Sequence, residues 1–254
     1  GLVIRLLLVF DHAHFNPLID DSFYAFSIAR NIANGDGVTY AGNPTNGFQP
    51  LFVFLSVPFY TCLPGEAPVH GILLLLALVN LATGAMLYAW LSRAGKSAAA
   101  LLVLAWWCVS PYVFTNGVNG LETAFTACFL VASAWFFASR IAADDTPGLK
   151  DGAMLGVLLG LGVLSRIDLG LWAAAMAISY TLLGRAANIG RRIAFMAWVA
   201  LIAGVTASPW FLYNVAAFGE PMPSSGSGVR FISLAFGYSY WGEKFAYFPI
   251  EDIP

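Results

Sequence analysis

Two adjacent carboxylates, Asp20 and Asp21, open the polar part of the segment LIDDSFYAFSIARNIANGDGVTY, residues 18–40. A carboxylate can take the proton of an attacking hydroxyl, and an arginine can hold a phosphate in a two-pronged hydrogen bond. Residues suited to the same chemistry recur along the chain: Arg30 in that segment, Glu122 in NGLET (119–123), and Arg166 with Asp168 in SRID (165–168). Asn46 and Gln49, in NPTNGFQP (43–50), add neutral hydrogen-bonding groups. Each group also has a plain structural reading. Asp20 and Asp21 can cap a helix over 21–34, and Glu122 can cap one beginning near Leu121. Arg166 and Asp168 can pair with each other in a hairpin tip. The glycines of ANGDG suit a helix end, and NPTNG is an ordinary turn string. His12 and His14 have a spacing usable for a metal, with no third ligand evident.

The elements that must position these groups are apolar. The chain has 254 residues, 59% hydrophobic and 10% charged, against about 25% charged in soluble domains. It cannot cover itself with a polar surface and reads as an integral membrane protein. A net charge of −2 supplies no basic patch, which argues against a nucleic-acid partner. The three cysteines, Cys62, Cys108 and Cys128, lie far apart in apolar runs and read as buried, inert thiols rather than a zinc or disulfide framework.

Apolar segments run through 51–63, 70–92, 97–114, 121–139, 152–164, 169–184 and 193–213. Seven of the twelve Lys and Arg fall in three connections: Arg93 and Lys96, Arg140 and Lys150, and Arg185, Arg191 and Arg192. The positive-inside rule puts those connections in the cytoplasm and the acidic groups on the other face. Arg5 suggests in the same way that the first span starts inside. Segment 51–63 is short and contains Pro58, so it is expected to re-enter or lie in the interface rather than cross. Segments 152–164 and 169–184 are expected to form a hairpin whose SRID tip is sunk below the surface.

The expected architecture is all-α: one polytopic transmembrane helical bundle over 1–254. Residues 1–10 form a partial first span, 11–50 an extracytoplasmic loop with a juxtamembrane helix, 51–213 the membrane segments and 214–254 an extracytoplasmic segment. The chain is expected to belong to a longer protein.

The stretch DDSFYAFSIARNIANGDGVTYAGNPTNGFQPLFVFL resembles the first extracytoplasmic loop of membrane glycosyltransferases with the GT-C fold. These include polyprenyl-phosphate-mannose protein mannosyltransferases, lipid A aminoarabinose transferases and mycobacterial arabinofuranosyltransferases. The later NGLET, LSRID and PWFLYN…GEPMPSSG segments are similar to the bacterial members, so the resemblance runs from Asp20 to about Arg230 and is most specific at 20–52. Gln49 stands where many relatives have histidine, so that histidine's role does not carry over.

The resemblance implies transfer of a sugar from a polyprenyl-phosphate carrier to a hydroxyl of a glycan, lipid or protein acceptor, with inversion. The active site would face the extracytoplasmic side of the plasma (inner) membrane, in cell-envelope glycan synthesis. Asp20 or Asp21 would be the general base. Arg166, with Arg30 second, would hold the phosphate, and Glu122, Asp168, Asn46 and Gln49 would shape the substrate pocket. Some members use a divalent cation and others none. Two other functions compete: a transporter or flippase of polyprenyl-linked lipids, which needs polar groups through the membrane but no base, and a non-catalytic membrane subunit.

Overall fold

The computed structural model describes residues 1–10, 18–185 and 188–223. His12, His14 and Arg230 lie outside these residues. The described chain is mostly helical, with one small hairpin that pairs Thr39–Tyr40 with Asn43–Pro44. Its helices are α1 (Leu2–Val9), α2 (Asp20–Asn34), α3 (Pro50–Cys62), α4 (Ala67–Arg93), α5 (Ser97–Val109), α6 (Pro111–Gly117), α7 (Thr123–Phe136), α8 (Leu149–Ser165), α9 (Leu169–Leu183) and α10 (Ile189–Phe218).

Among the described residues, three helical stretches are long and apolar enough to cross a membrane: Ala67–Arg93, Thr123–Ile141 and Ile189–Phe218. The second includes a widened turn, Phe137–Ile141, that prolongs α7. A further pair has the length and apolarity of a span but is bent, as in a broken span or a re-entrant loop. Helices α5 and α6 meet at 61°, where Pro111 begins α6 and cannot donate a backbone hydrogen bond. Helix α10 runs on to Phe218 rather than ending at 213.

Helices α8 and α10 pack face to face through glycines. Gly152, Gly156 and Gly160 recur every four residues on α8. A Cβ at Gly156 would stand 2.7 Å from the Val199 carbonyl oxygen, and one at Gly160 would stand 2.7 Å from that of Ala203. Only hydrogen at these positions lets the two backbones approach so closely. Where lipid removes the hydrophobic drive between helices, such close approach holds a bundle together.

Helix α3 lies across one end of the bundle. Its start packs beside Leu164 near the end of α8 and Trp210 of α10, with Phe48 and Trp210 ring centroids 4.9 Å apart. Farther along, Phe59 and Leu63 lie against Gly71 near the start of α4. Both halves of α3 therefore touch the same end of the long helices, in keeping with a segment that does not cross.

Arg5 lies within α1. Its side chain is fully buried between α1, α4 and α5, donating from Nε to Asn80 Oδ1 (2.9 Å) and from Nη2 to the Trp107 carbonyl (3.1 Å). Cys62 is exposed rather than buried, because it ends α3 at the surface; all three cysteines are free.

Candidate active site

The site forms where three connections meet at one end of the bundle. Helix α2 begins at Asp20, and the residue before it, extended Ile19, is the N-cap. This corrects the capping expectation: the acidic pair occupies the first turn, and no side chain caps this end. The Asp21 amide instead donates to Asp20 Oδ1 (3.0 Å), which orients the first carboxylate. Among the described residues, the Asp21 carboxylate accepts no hydrogen bond. Both aspartates are exposed.

The turn between α6 and α7 is pressed onto this helix head. Gly120 has φ +77°, and a Cβ there would lie 2.6 Å from Leu18 Cδ2 and 2.7 Å from Ser22 Cβ. Ser22 is itself fixed, its hydroxyl donating to the Ile19 carbonyl. Buried Asn119 stiffens the turn, accepting from the Leu121 amide (3.2 Å) through Oδ1 and donating from Nδ2 to Thr123 Oγ1 (3.4 Å). These contacts bring Glu122 beside Asp21.

Glu122 is 7% exposed. It occupies the N-cap position of α7 but makes no side-chain cap bond. Burial pushes its carboxyl above the ordinary carboxylate range. Its own backbone amide and Arg166 oppose that shift, while the negative charges of Asp21 and Asp168 reinforce it. Arg166 Nη1 stands 3.7 Å from Glu122 Oε1, while Arg166 Nε donates to Asp168 Oδ2 at 3.0 Å. Two carboxylates thus share one guanidinium, with the charge of Asp21 felt at Glu122. The 3.0 Å bond is a formed ion pair, whereas 3.7 Å is too long for a charge-assisted hydrogen bond.

Arg166 is held by backbone. It is extended (φ −160°, ψ 122°) after α8, and its amide bonds the Gly162 carbonyl (2.8 Å). Its side chain is 47% exposed, so the guanidinium reaches the bundle's polar end rather than lipid-packed core.

The other expected site residues fall elsewhere. Asn46 is buried in the loop before α3, and Gln49 is the N-cap of α3 without a side-chain cap bond. That loop is fastened to α2 by Tyr24 and Thr45, whose hydroxyls are 2.6 Å apart, and by Tyr24 and Tyr40, whose rings are 4.6 Å apart. Arg30 lines a separate cleft of about 370 Å³ between α2, α3 and the start of α4. Among the described residues, no group of three His, Cys, Asp or Glu side chains is placed to hold a metal ion.

Sequence reasoning missed Gly120 and Ser22, whose contact assembles the site. The signal was there: a glycine immediately before LE, in a turn already suspected of holding a functional glutamate.

Residues 49–213 match the family model of dolichyl-phosphate-mannose-protein mannosyltransferases, and the chain belongs to that family of membrane glycosyltransferases. Its helical bundle is accordingly of the GT-C type. No curated protein matches the chain, and no solved structure does. The match includes Gln49, Glu122, Arg166 and Asp168 but begins after Asp20, Asp21, Arg30 and Asn46. The stretch 20–52, read as carrying the strongest resemblance, thus lies mostly outside it.

Proposed function

From membership of this mannosyltransferase family, we propose that the chain transfers a sugar from a polyprenyl-phosphate carrier to an acceptor hydroxyl, with Asp20 as general base. The observation that carries this reading is the meeting of an oriented carboxylate, a buried glutamate and an arginine at one end of an apolar bundle.

Successive helical residues point about 100° apart, so the two aspartates serve different sides. The charge of Asp21 is felt at Glu122. Asp20, with Oδ1 occupied by the Asp21 amide, keeps Oδ2 free for a hydroxyl. Asp20 takes the proton of the acceptor hydroxyl while that oxygen bonds to the anomeric carbon from the face opposite the phosphate. The bond between the anomeric carbon and the phosphate oxygen breaks, and polyprenyl phosphate leaves with the electron pair. The anomeric centre inverts, as in glycosidases whose base activates an attacking water. Asp20 then releases its proton to solvent.

Arg166 supports the leaving phosphate. Asp168 occupies Nε, and among the described residues Nη2 has no partner, which leaves an edge of the guanidinium for phosphate oxygens. Glu122, held toward its neutral form by burial, answers Arg166 without fully cancelling its charge.

The test is transfer by purified protein from a panel of polyprenyl-phosphoryl sugars, beginning with mannose. Asp20→Asn should retain its fold and lose about 10²–10⁴-fold in rate, the usual contribution of a positioned base. Asp21→Asn should keep a measurable fraction. The reverse order would exchange their roles, and full activity in both would leave the pair as architecture.

A further inference from the structure

The second cleft at this end of the bundle is a built polar site that the catalytic cluster does not use. One wall is a single face of α2. Phe23, Ser27, Arg30 and Asn34 follow one another at helical spacing, with Tyr60 of α3 and Glu66 opposite. Asp20 precedes Phe23 by three residues, so it heads the same face. The cleft therefore begins within one turn of the proposed base and runs away from Arg166. From Phe23 to Asn34 it follows α2 for about 16 Å, at 1.5 Å per residue. Its volume of about 370 Å³ lies in the range of small-ligand sites.

The lining selects the ligand's chemistry. Arg30 and Glu66 bring one charge of each sign. Among the described residues, neither has an ion-pair partner, and they do not pair with each other. A strongly anionic ligand would meet Glu66, and a strongly cationic one would meet Arg30. Both side chains, like that of Asn34, are planar and can bond neighbouring hydroxyls in pairs. Exposed Phe23 adds a flat apolar face to the same lining. A neutral chain of hydroxyl-bearing rings meets all of these groups at once. A peptide fits less well, because helices form the two long walls and pair their own backbones, leaving no strand edge to extend.

We propose that this cleft is the acceptor subsite and that the acceptor is a short neutral oligosaccharide, its terminal hydroxyl directed to Asp20. The inference rests on the transfer reading above, but its test needs no donor. Purified full-length chain in lipid nanodiscs is titrated calorimetrically with three neutral trisaccharides: a trimannoside, a trigalactoside and a tri-arabinofuranoside. A serine- and threonine-rich hexapeptide is titrated in parallel.

At least one trisaccharide should bind. Arg30→Ala and Glu66→Ala should each weaken it about tenfold or more, as expected for loss of a hydrogen bond to a charged group. Both residues are exposed, so unchanged unfolding temperatures will show that the variants fold. Leu183→Ala, at the other end of the bundle, should bind as the parent does. Failure of all three sugars would overturn the proposal, as would binding indifferent to Arg30 and Glu66, or Arg30-dependent binding of the peptide in their place. A chain that binds the sugar in this way yet transfers nothing from any donor would sink the transfer reading and leave the sugar site standing.

Discussion

Gly120 and Ser22 touch so closely that a single added carbon would not fit between them: a Cβ on Gly120 would lie 2.7 Å from Ser22 Cβ. This contact ties the head of α2 to the turn that carries Glu122, so two distant stretches of sequence form one site.

Gly120→Ala should therefore damage the site more than its size suggests. The left-handed backbone at φ +77° costs a non-glycine residue about 1–2 kcal/mol, and the clash must move either the turn or α2. A lower unfolding temperature is expected, with transfer falling by more than the folded fraction does. Ser22→Gly in the same chain makes room for the methyl group and should restore part of the loss. Unchanged kinetics in Gly120→Ala would mean that Glu122 and Asp21 need not be held together.

Much of this arrangement was legible in the sequence. The acidic pair, Glu122 and Arg166 were visible as polar interruptions of apolar runs, and the basic connections predicted which ends belong together. Helix α7 carries Glu122 at one end and Arg140 near the other, and α8 runs from near Lys150 to Arg166, as charge placement required. Hydropathy could not register what depends on shape. Gly152, Gly156 and Gly160 read as apolar filler, although their spacing of four marks the face on α10. Arg5 read only as a marker of the inner end of a first span, because a short apolar run does not reveal which neighbour each face meets. Its partner, Asn80, lies 75 positions away. The resemblance implied Arg30 as a second phosphate ligand after Arg166; it lies ten residues beyond Asp20, about 15 Å at helical rise, and lines a separate cleft.

Glu122 should give the protein a recognisable pH dependence. Burial first, and then the charges of Asp21 and Asp168, raise its pKa above the ordinary value of 4.5. A carboxyl with a raised native pKa binds its proton more tightly in the fold than in the unfolded chain. The stability so gained is complete below the unfolded value and is lost as pH rises through the native one. Thermal unfolding of parent and Glu122→Gln from about pH 4 to 8 should show the parent losing ground to the variant as pH increases. Parallel curves would mean that folding leaves the Glu122 pKa unchanged.

Membrane sidedness can be tested at positions that the structure leaves open. Asn119 belongs to the site's face but is buried, and a cysteine there would report packing. Asn43, in the exposed hairpin turn, and Asp145, between α7 and α8, are both accessible. With Cys62 replaced by serine, Asn43→Cys in intact cells should react with an impermeant thiol reagent, whereas Asp145→Cys should react only after lysis. This follows from the basic residues flanking the second connection. Equal labelling from outside would overturn the orientation and with it an outward-facing site.

The buried arginine at the other contact of α4 gives an asymmetric prediction. Arg5 is fully buried, and among the described residues its hydrogen bonds go to neutral oxygens: Asn80 Oδ1 and the carbonyls of Gly1 and Trp107. Asn80 is the shared hinge, since its side-chain oxygen takes two of the guanidinium nitrogens and its carbonyl accepts from Trp107 Nε1 at 2.8 Å. Removing the acceptor leaves a charge in place without its main partner, which typically costs about 3–5 kcal/mol. Removing the charge leaves only an unpaired amide oxygen, at about 1–3 kcal/mol. Asn80→Leu should therefore unfold well below Arg5→Met, although both delete the same pair. The double variant, with neither charge nor orphaned amide, should recover toward the parent, because apolar residues of similar volume often replace a buried ionic contact without loss. A double variant that simply adds the two single losses would mean that the two side chains act independently. Asn80→Leu as stable as the parent would mean that the carbonyls alone suffice to hold Arg5.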